Sequence, residues 1–439
     1  MKEAKIPFNQ NYNGWLSYPE RFPVFPSFTG NTTADWVVIG AGYAGFAFAR
    51  RLAENNPSAK VILLEANTIE NNASSRNSGF IIGLAHQINS SASELKKAEV
   101  YNRILSSGVT QLREFVSMNN IDCEWSEVGK YYCIVNQKFD QALNQHIHEL
   151  QSLNEGFSVL QQDEIFNRFG TKFYQKGIHT NDGILINPAK LMIGLAEHLP
   201  ENVLFYEQSP VLSLDIGKYV KIKLPYGEIS AANVMIATNA VAGQLFAQAN
   251  NQAPMATFSS LTEPLTKEQL SRLPKMTPWG ILPINAIAAA TLRFTPDNRF
   301  LIRQHVSFAP NGQISSNQTY QATQKHRKIF ASIYPNLNDV SIEKTWSGII
   351  SVTRNGAPIW GRLSSNVYIA SGCNGSGISK QTVAGMVLAD LACNVDNPLI
   401  LDMQFLGKAN YLPPSPILDI AVNSALFKEN IIACSEIGL

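Results

Sequence analysis

The run Gly40-Ala41-Gly42-Tyr43-Ala44-Gly45, with Glu65 twenty residues beyond Gly45, is the part of this sequence whose residue types and spacing imply chemistry most directly. Gly40 permits a tight turn, Gly42 lets the main chain approach a pyrophosphate, and Gly45 lets a helix pack closely on a strand. The helix that opens here supplies free N–H groups and the positive end of its dipole to an anion. Glu65, followed by Ala66, is placed to accept hydrogen bonds from ribose hydroxyls, and no arginine stands beside it to meet a 2′-phosphate. The signature therefore predicts a bound dinucleotide and leaves both FAD and NAD open.

Such a turn works only between a strand and a helix. Asp35 to Ile39 is apolar and β-branched, Phe46 to Glu54 is helical in pattern, and Val61 to Glu65 is a second buried strand. That is a βαβ unit. Further strand patterns cover Ile229 to Ala232, the fully apolar Val234 to Ala237, and Val367 to Ala370, the last followed by a glycine turn and a helix over Ser379 to Ala392. Between them lie a long amphipathic helix from Ala92 to Met118, a strand at Tyr131 to Val135, a helix from Gln137 to Leu153, and strands at Thr291 to Phe294 and Phe300 to Gln304. The expected fold is α/β, with a Rossmann-like domain assembled from discontinuous segments and a mixed-sheet α+β domain made of the insertions. Residues 1–34, dense in proline and aromatics, are expected as an N-terminal arm. Segments 35–90, 180–250 and 345–395 are expected to form the dinucleotide-binding domain, 91–179 and 251–344 the substrate domain, and 396–439 a C-terminal tail packed on the body.

Bulk composition narrows the function classes. Thirty-five basic residues against 34 acidic ones give a net charge of +1, and no Lys/Arg block stands out, so nucleic acid is not an expected partner. The N-terminus lacks an apolar signal segment, and the most apolar run, Val37 to Ala49, is too short to span a bilayer. Five dispersed cysteines suit free thiols in a reducing compartment, so a cytoplasmic location is expected, with no metal site. His146 and His148 stand two apart on one predicted helix, diverge, and are read as solvent-facing. Cys373 is read as a buried filler, and Arg299 and Arg303 as sheet-covering arginines or a carboxylate site. No Ser/His/Asp set or P-loop competes for the catalytic role.

Several further motifs occur in a telling order. They are Phe25-Pro26-Ser27-Phe28-Thr29-Gly30, Asn72-Ala73-Ser74-Ser75-Arg76-Asn77-Ser78-Gly79, Trp346-Ser347-Gly348, Thr353 to Pro358, and Gly375-Ser376-Gly377-Ile378. Together they resemble the D-amino-acid-oxidase-type flavoenzymes, most closely the γ-glutamylputrescine-oxidase-like branch, over nearly the whole chain. The resemblance implies FAD, with Ser74, Ser75, Arg76, Asn77, Ser78 and Gly79 along its phosphates and ring. It implies the Val211 main chain at the adenine, and Gly375 to Ile378 at the pyrimidine edge. No thiol follows Trp346, where Ile349-Ile350-Ser351 stands, and no histidine interrupts the 72–79 loop, so non-covalent FAD is implied. Arg76 is the candidate catalytic residue, neutralising flavin charge or orienting substrate. His86, Arg293 and Ser379 are the substrate candidates, Ser379 standing where the sarcosine-oxidase branch has a carboxylate-holding lysine. The implied reaction is hydride transfer from a C–N carbon of an amine or amino acid to flavin N5. Oxygen or another electron acceptor would take the electrons. An amino-acid or imino-acid dehydrogenase passing electrons to a quinone or carrier and a non-catalytic flavin-binding protein are the alternatives.

Overall fold

The computed structural model describes residues 13–16, 23–84, 92–284 and 288–436. His86 and Tyr18-Pro19 lie outside the described residues.

Two large sheets organise the chain. The first runs, in spatial order, Ile359–Arg362, Val367–Ser371, Gly227–Ile236, Gly30–Ile39, Val61–Leu64 and Val203–Tyr206. From Val367–Ser371 to Val203–Tyr206 every pairing is parallel. These strands read as unbroken apolar runs because helices cover the sheet, and Val37, Ile62, Leu63 and Val234 are fully buried. The two runs expected as separate strands, Ile229 to Ala232 and Val234 to Ala237, form one strand, Gly227–Ile236. Asn233, the polar break between them, simply pairs with Trp36.

The second sheet is mixed. Its order is Ile342–Val352, Ala253–Thr262, Phe300–Phe308, Thr291–Phe294, Trp279–Leu282, Lys130–Ile134, Lys176–Thr180 and Phe157–Gln161. Only the contact between Trp279–Leu282 and Lys130–Ile134 is parallel. Its first strand corrects a boundary. Residues 345–352, expected in the dinucleotide-binding domain, belong here, because Ile342–Val352 pairs along the whole of Ala253–Thr262.

The N-terminal arm packs Phe25 on Phe205, with ring centroids 4.8 Å apart, and Trp15 edge-on to the buried Trp346. At the other end the helix Leu399–Phe405 lies against the helices Ala92–Met118 and Gly377–Ala392. The helix Ile417–Glu436 lies against Phe300–Phe308, where Glu436 accepts a hydrogen bond from the Ile284 amide. Among the described residues no helix is long and apolar enough to cross a membrane.

Candidate active site

A cavity of about 990 Å³ runs between the two sheets. At one end its wall is main chain. Gly40, Gly42, Tyr43 and Ala44 line it, where the strand Gly30–Ile39 turns into the helix Tyr43–Asn55. A side chain at Gly45 would overlap the Gly40 carbonyl, so the closeness of turn and helix depends on this glycine. Glu65 is 7% exposed and already works on the turn: its carboxylate accepts from the Ala41 amide at 3.2 Å and the Asn67 amide at 3.0 Å. Burial pushes its pKa up, and those amides oppose the shift. Ala66 and Val211 line the same end.

The loop after Asn72 forms the adjoining wall. Asn72, which opens the 72–79 motif without a role assigned to it there, is a positioning residue. Its side-chain oxygen accepts from the amides of Ser74 and Ser75, and its amide nitrogen donates to the Ala41 carbonyl at 2.9 Å, tying loop to glycine turn. Ser74, Asn77 and Ser78 face the cavity. The Tyr43 hydroxyl and the Asn77 side chain both donate to the Ser74 carbonyl.

Arg76, Arg293 and Ser379 do not line the cavity. Arg76 points the other way, donating from Nε to the Ser347 carbonyl at 2.6 Å, while Trp346 Nε1 donates to the Arg76 carbonyl at 3.0 Å. Burial lowers the Arg76 pKa to about 10. Arg293 sends one guanidinium nitrogen to the carbonyls of Ser78, Gly79 and Ile186 and stacks 4.8 Å from the Trp15 ring centroid. Both arginines are thus pins behind the loop, spent on carbonyls that would otherwise be buried without donors. Ser75 and Gly79 sit in the same outer layer, Ser75 Oγ donating to the Ile69 carbonyl at 2.6 Å. Ser379 donates to the Ile82 carbonyl at 2.8 Å, and the neighbouring Lys380 donates to the Gly372 carbonyl at 3.1 Å.

Gly375, Ser376, Gly377 and Ile378 line the cavity at the start of the helix Gly377–Ala392. Neither this helix nor Tyr43–Asn55 has a side-chain cap or an acidic residue in its first turn. Two helix N-termini with orphan N–H groups therefore open onto one cavity, which fits an extended anionic cofactor. Cys373, beside them, is buried and takes a weak hydrogen bond from Asn239 at 3.4 Å.

Beyond this the cavity continues over the second sheet. Tyr132 lies opposite Leu282, and Thr291 opposite Arg303, and all four line it. Burial lowers the Arg303 pKa to about 10, so the guanidinium stays charged at neutral pH. Arg299 does not line the cavity and pairs with Asp297 and Glu343. His146 departs from its expected place in solvent. His148 is exposed, but His146 is buried and lines the cavity with Gln145 and Glu149. In the helix Asp140–Ser152 it falls on the stripe Leu143, His146 and Leu150, and that spacing was the signal available in the sequence.

A parallel sheet that feeds a glycine turn, joined through one long cavity to a mixed sheet, is the architecture of a dinucleotide-dependent oxidoreductase. The chain belongs to the DAO family of FAD dependent oxidoreductases, whose model matches residues 35–391. Its cofactor is accordingly FAD, and it is an enzyme. It is 26% identical over 390 residues to a probable oxidoreductase, OrdL, of Haemophilus influenzae, covering 85% of this chain and 86% of that protein. It is 25% identical over 383 residues to the gamma-glutamylputrescine oxidoreductase of Escherichia coli, covering 84% and 86%. In fold it is similar to the glycine oxidase of Geobacillus kaustophilus, with a TM-score of 0.71 at 18% identity, covering 87% of this chain and all of that one.

Proposed function

We propose that the protein oxidises a carbon–nitrogen bond of an amine or amino acid, with non-covalent FAD held across the two uncapped helix N-termini. The observation that carries this reading is the continuity of the cavity, from the glycine turn to the titratable groups over the second sheet. Bound there, FAD supplies the two-electron acceptor for a hydride from the substrate carbon. The chain's own part is placement. Gly42 and Ser74 border the space where the pyrophosphate would lie, and Glu65, lining the same end, would accept from the ribose hydroxyls. The N-terminus at Gly377 would stabilise negative charge on the bound ring. Ile82, Leu282, Ile349 and Ile378 give the adjoining walls an apolar surface that excludes water from the reacting carbon.

The amine must be neutral when it reacts, since an ammonium has no lone pair to support loss of hydride. An imine results and hydrolyses in water, so the site needs no obligatory acid or base. Oxygen is the proposed final acceptor, giving hydrogen peroxide. The dispersed free cysteines support a cytoplasmic setting.

A panel of primary amines, secondary-amine amino acids, glycine and sarcosine tests the assignment by anaerobic flavin bleaching, with peroxide and dye reduction read in parallel. Bleaching by an extended amine faster than by glycine or sarcosine is expected, with peroxide formed on admitting air. Bleaching by none of them defeats the reading. Dye reduction without peroxide would move the acceptor to a quinone or carrier.

A further inference from the structure

The outer face of the helix Ile417–Glu436 is a part of the surface that the oxidation chemistry leaves unexplained. Its inner face is an ordinary core face, where Val422, Leu426 and Ala433 pack with Met255 and Val306 of the second sheet. The opposite side carries Ile417, Ile420, Phe427 and Ile431, which are 58–70% exposed. With Ser424 among them the spacing is three, four, three and four residues, so all five lie in one stripe along the helix. A helix that is apolar on both sides is normally enclosed, and an exposed apolar stripe of this kind marks an interaction surface.

Charge and symmetry choose the occupant. The helix carries one basic residue, Lys428, against Asp419, Glu429 and Glu436, which is the wrong balance for an anionic membrane surface. The stripe itself holds no charge, so a second copy of it meets no like charge. It also reads nearly the same in both directions. Ile417 and Ile420 precede Ser424, and Phe427 and Ile431 follow it. Turned end for end about Ser424, the helix sets Ile417 against Ile431 of the second copy. Lys428, at the edge of the stripe, then meets Ile420 and not another lysine. Ser424 and the exposed Ala421 and Ala425 leave room for the two backbones to approach at the centre. Four large side chains, with the small residues between them, offer roughly 500–600 Å² per copy, so a pair buries roughly 1,000–1,200 Å², which reaches the size of specific interfaces.

We propose that the protein forms a two-fold symmetric dimer through antiparallel pairing of Ile417–Glu436 with a second copy, the axis passing beside Ser424. A two-fold contact uses the same patch on both chains, and this stripe is complementary to itself.

The test is sedimentation of the full-length, FAD-loaded protein over a range of micromolar concentrations. Wild type should sediment at twice the chain mass. Ile420→Glu combined with Phe427→Glu should be monomeric at the same concentrations, a dimer weakened about a hundredfold or more, because each chain would bring two unpaired carboxylates into the contact. Unchanged flavin absorbance and melting temperature would show that this variant keeps its fold. Oxidative cross-linking reads the register. Ser424→Cys should give a covalent dimer, since its two thiols meet at the axis, and wild type should not. Ile417→Cys alone should not either, because its two copies lie about 21 Å apart in an antiparallel pair centred on Ser424. A wild-type monomer at every concentration, a dimer that survives the double substitution, or cross-linking through Ile417→Cys but not Ser424→Cys overturns the proposal. So does a monomer that floats with phosphatidylglycerol vesicles and loses flotation on the double substitution, which would give the stripe to a lipid surface.

Discussion

At the glycine turn the cavity wall is main chain, and over the second sheet it is side chain. The first end presents helix N-termini and amides, the groups proposed to hold FAD, backed by an outer layer that does not line the cavity. Asn72 ties loop to turn, while Arg76, Arg293 and Trp346 brace the loop from behind. The second end has Tyr132, His146, Glu149 and Arg303 facing the space directly. A main-chain cradle suits a cofactor that never changes. A side-chain wall can be altered one residue at a time, and there we propose that substrate choice is made.

Substitutions separate the two ends. The largest effect belongs to Gly42→Val. A Cβ there would stand 2.8 Å from Ser74 Oγ, and its branches would fill the space proposed for the pyrophosphate. The variant should purify without flavin absorbance, and a normal flavin content would break the contrast between the two ends.

Arg293→Met should act on the cofactor although the residue touches only protein. Leaving the carbonyls of Ser78, Gly79 and Ile186 without their donor costs about 1–3 kcal/mol. Flavin affinity and melting temperature should both fall, while KM for amine in flavin-saturated enzyme stays the same. A selective rise in KM would return Arg293 to the substrate end.

The smallest effect concerns Glu207, which accepts from the Ile69 amide near the loop. Burial, with the charges of Glu70 and Glu65 adding, pushes its pKa up to about 7. A carboxyl raised above its unfolded value of about 4.3 contributes stability that is full below that value and is lost as pH rises through about 7. The wild-type melting temperature should therefore drop more between pH 5 and 8 than that of Glu207→Gln. Parallel pH dependences in the two proteins would show that Glu207 does not titrate in this range.

The cofactor end is more legible in the sequence than the substrate end, for a physical reason. Gly40, Gly42 and Gly45 are demanded by local backbone geometry, and Glu65 by its distance along one βαβ unit, so their types and spacing carry the message. Arginine carries no such message. Arg76 belongs to the loop and Arg293 to a strand far from it in sequence, and their direction is set by Ser347 and Ile186, distant along the chain from each. The two-residue spacing of His146 and His148 says only that they diverge, not which of them turns inward. The apolar neighbours Leu143 and Leu150 settle that, because they put His146 on the buried face. The sheet that Ile342–Val352 joins is equally hidden, since a strand's own residues do not say which partner it takes.

The order of strands in the first sheet has a consequence for how the enzyme is made. Gly30–Ile39 emerges early from the ribosome, but its neighbour Gly227–Ile236 comes much later, and Val367–Ser371 and the helix Gly377–Ala392 later still. The second helix N-terminus of the cradle thus appears roughly 330 residues after the first, which at about 5–20 residues per second is a delay of roughly a quarter of a minute to a minute. Throughout that interval the glycine turn is present without the surface that would close over a flavin. With FAD held as proposed, cofactor capture would be a late event in the life of the chain, and nascent chains halted before Gly377 should carry no flavin.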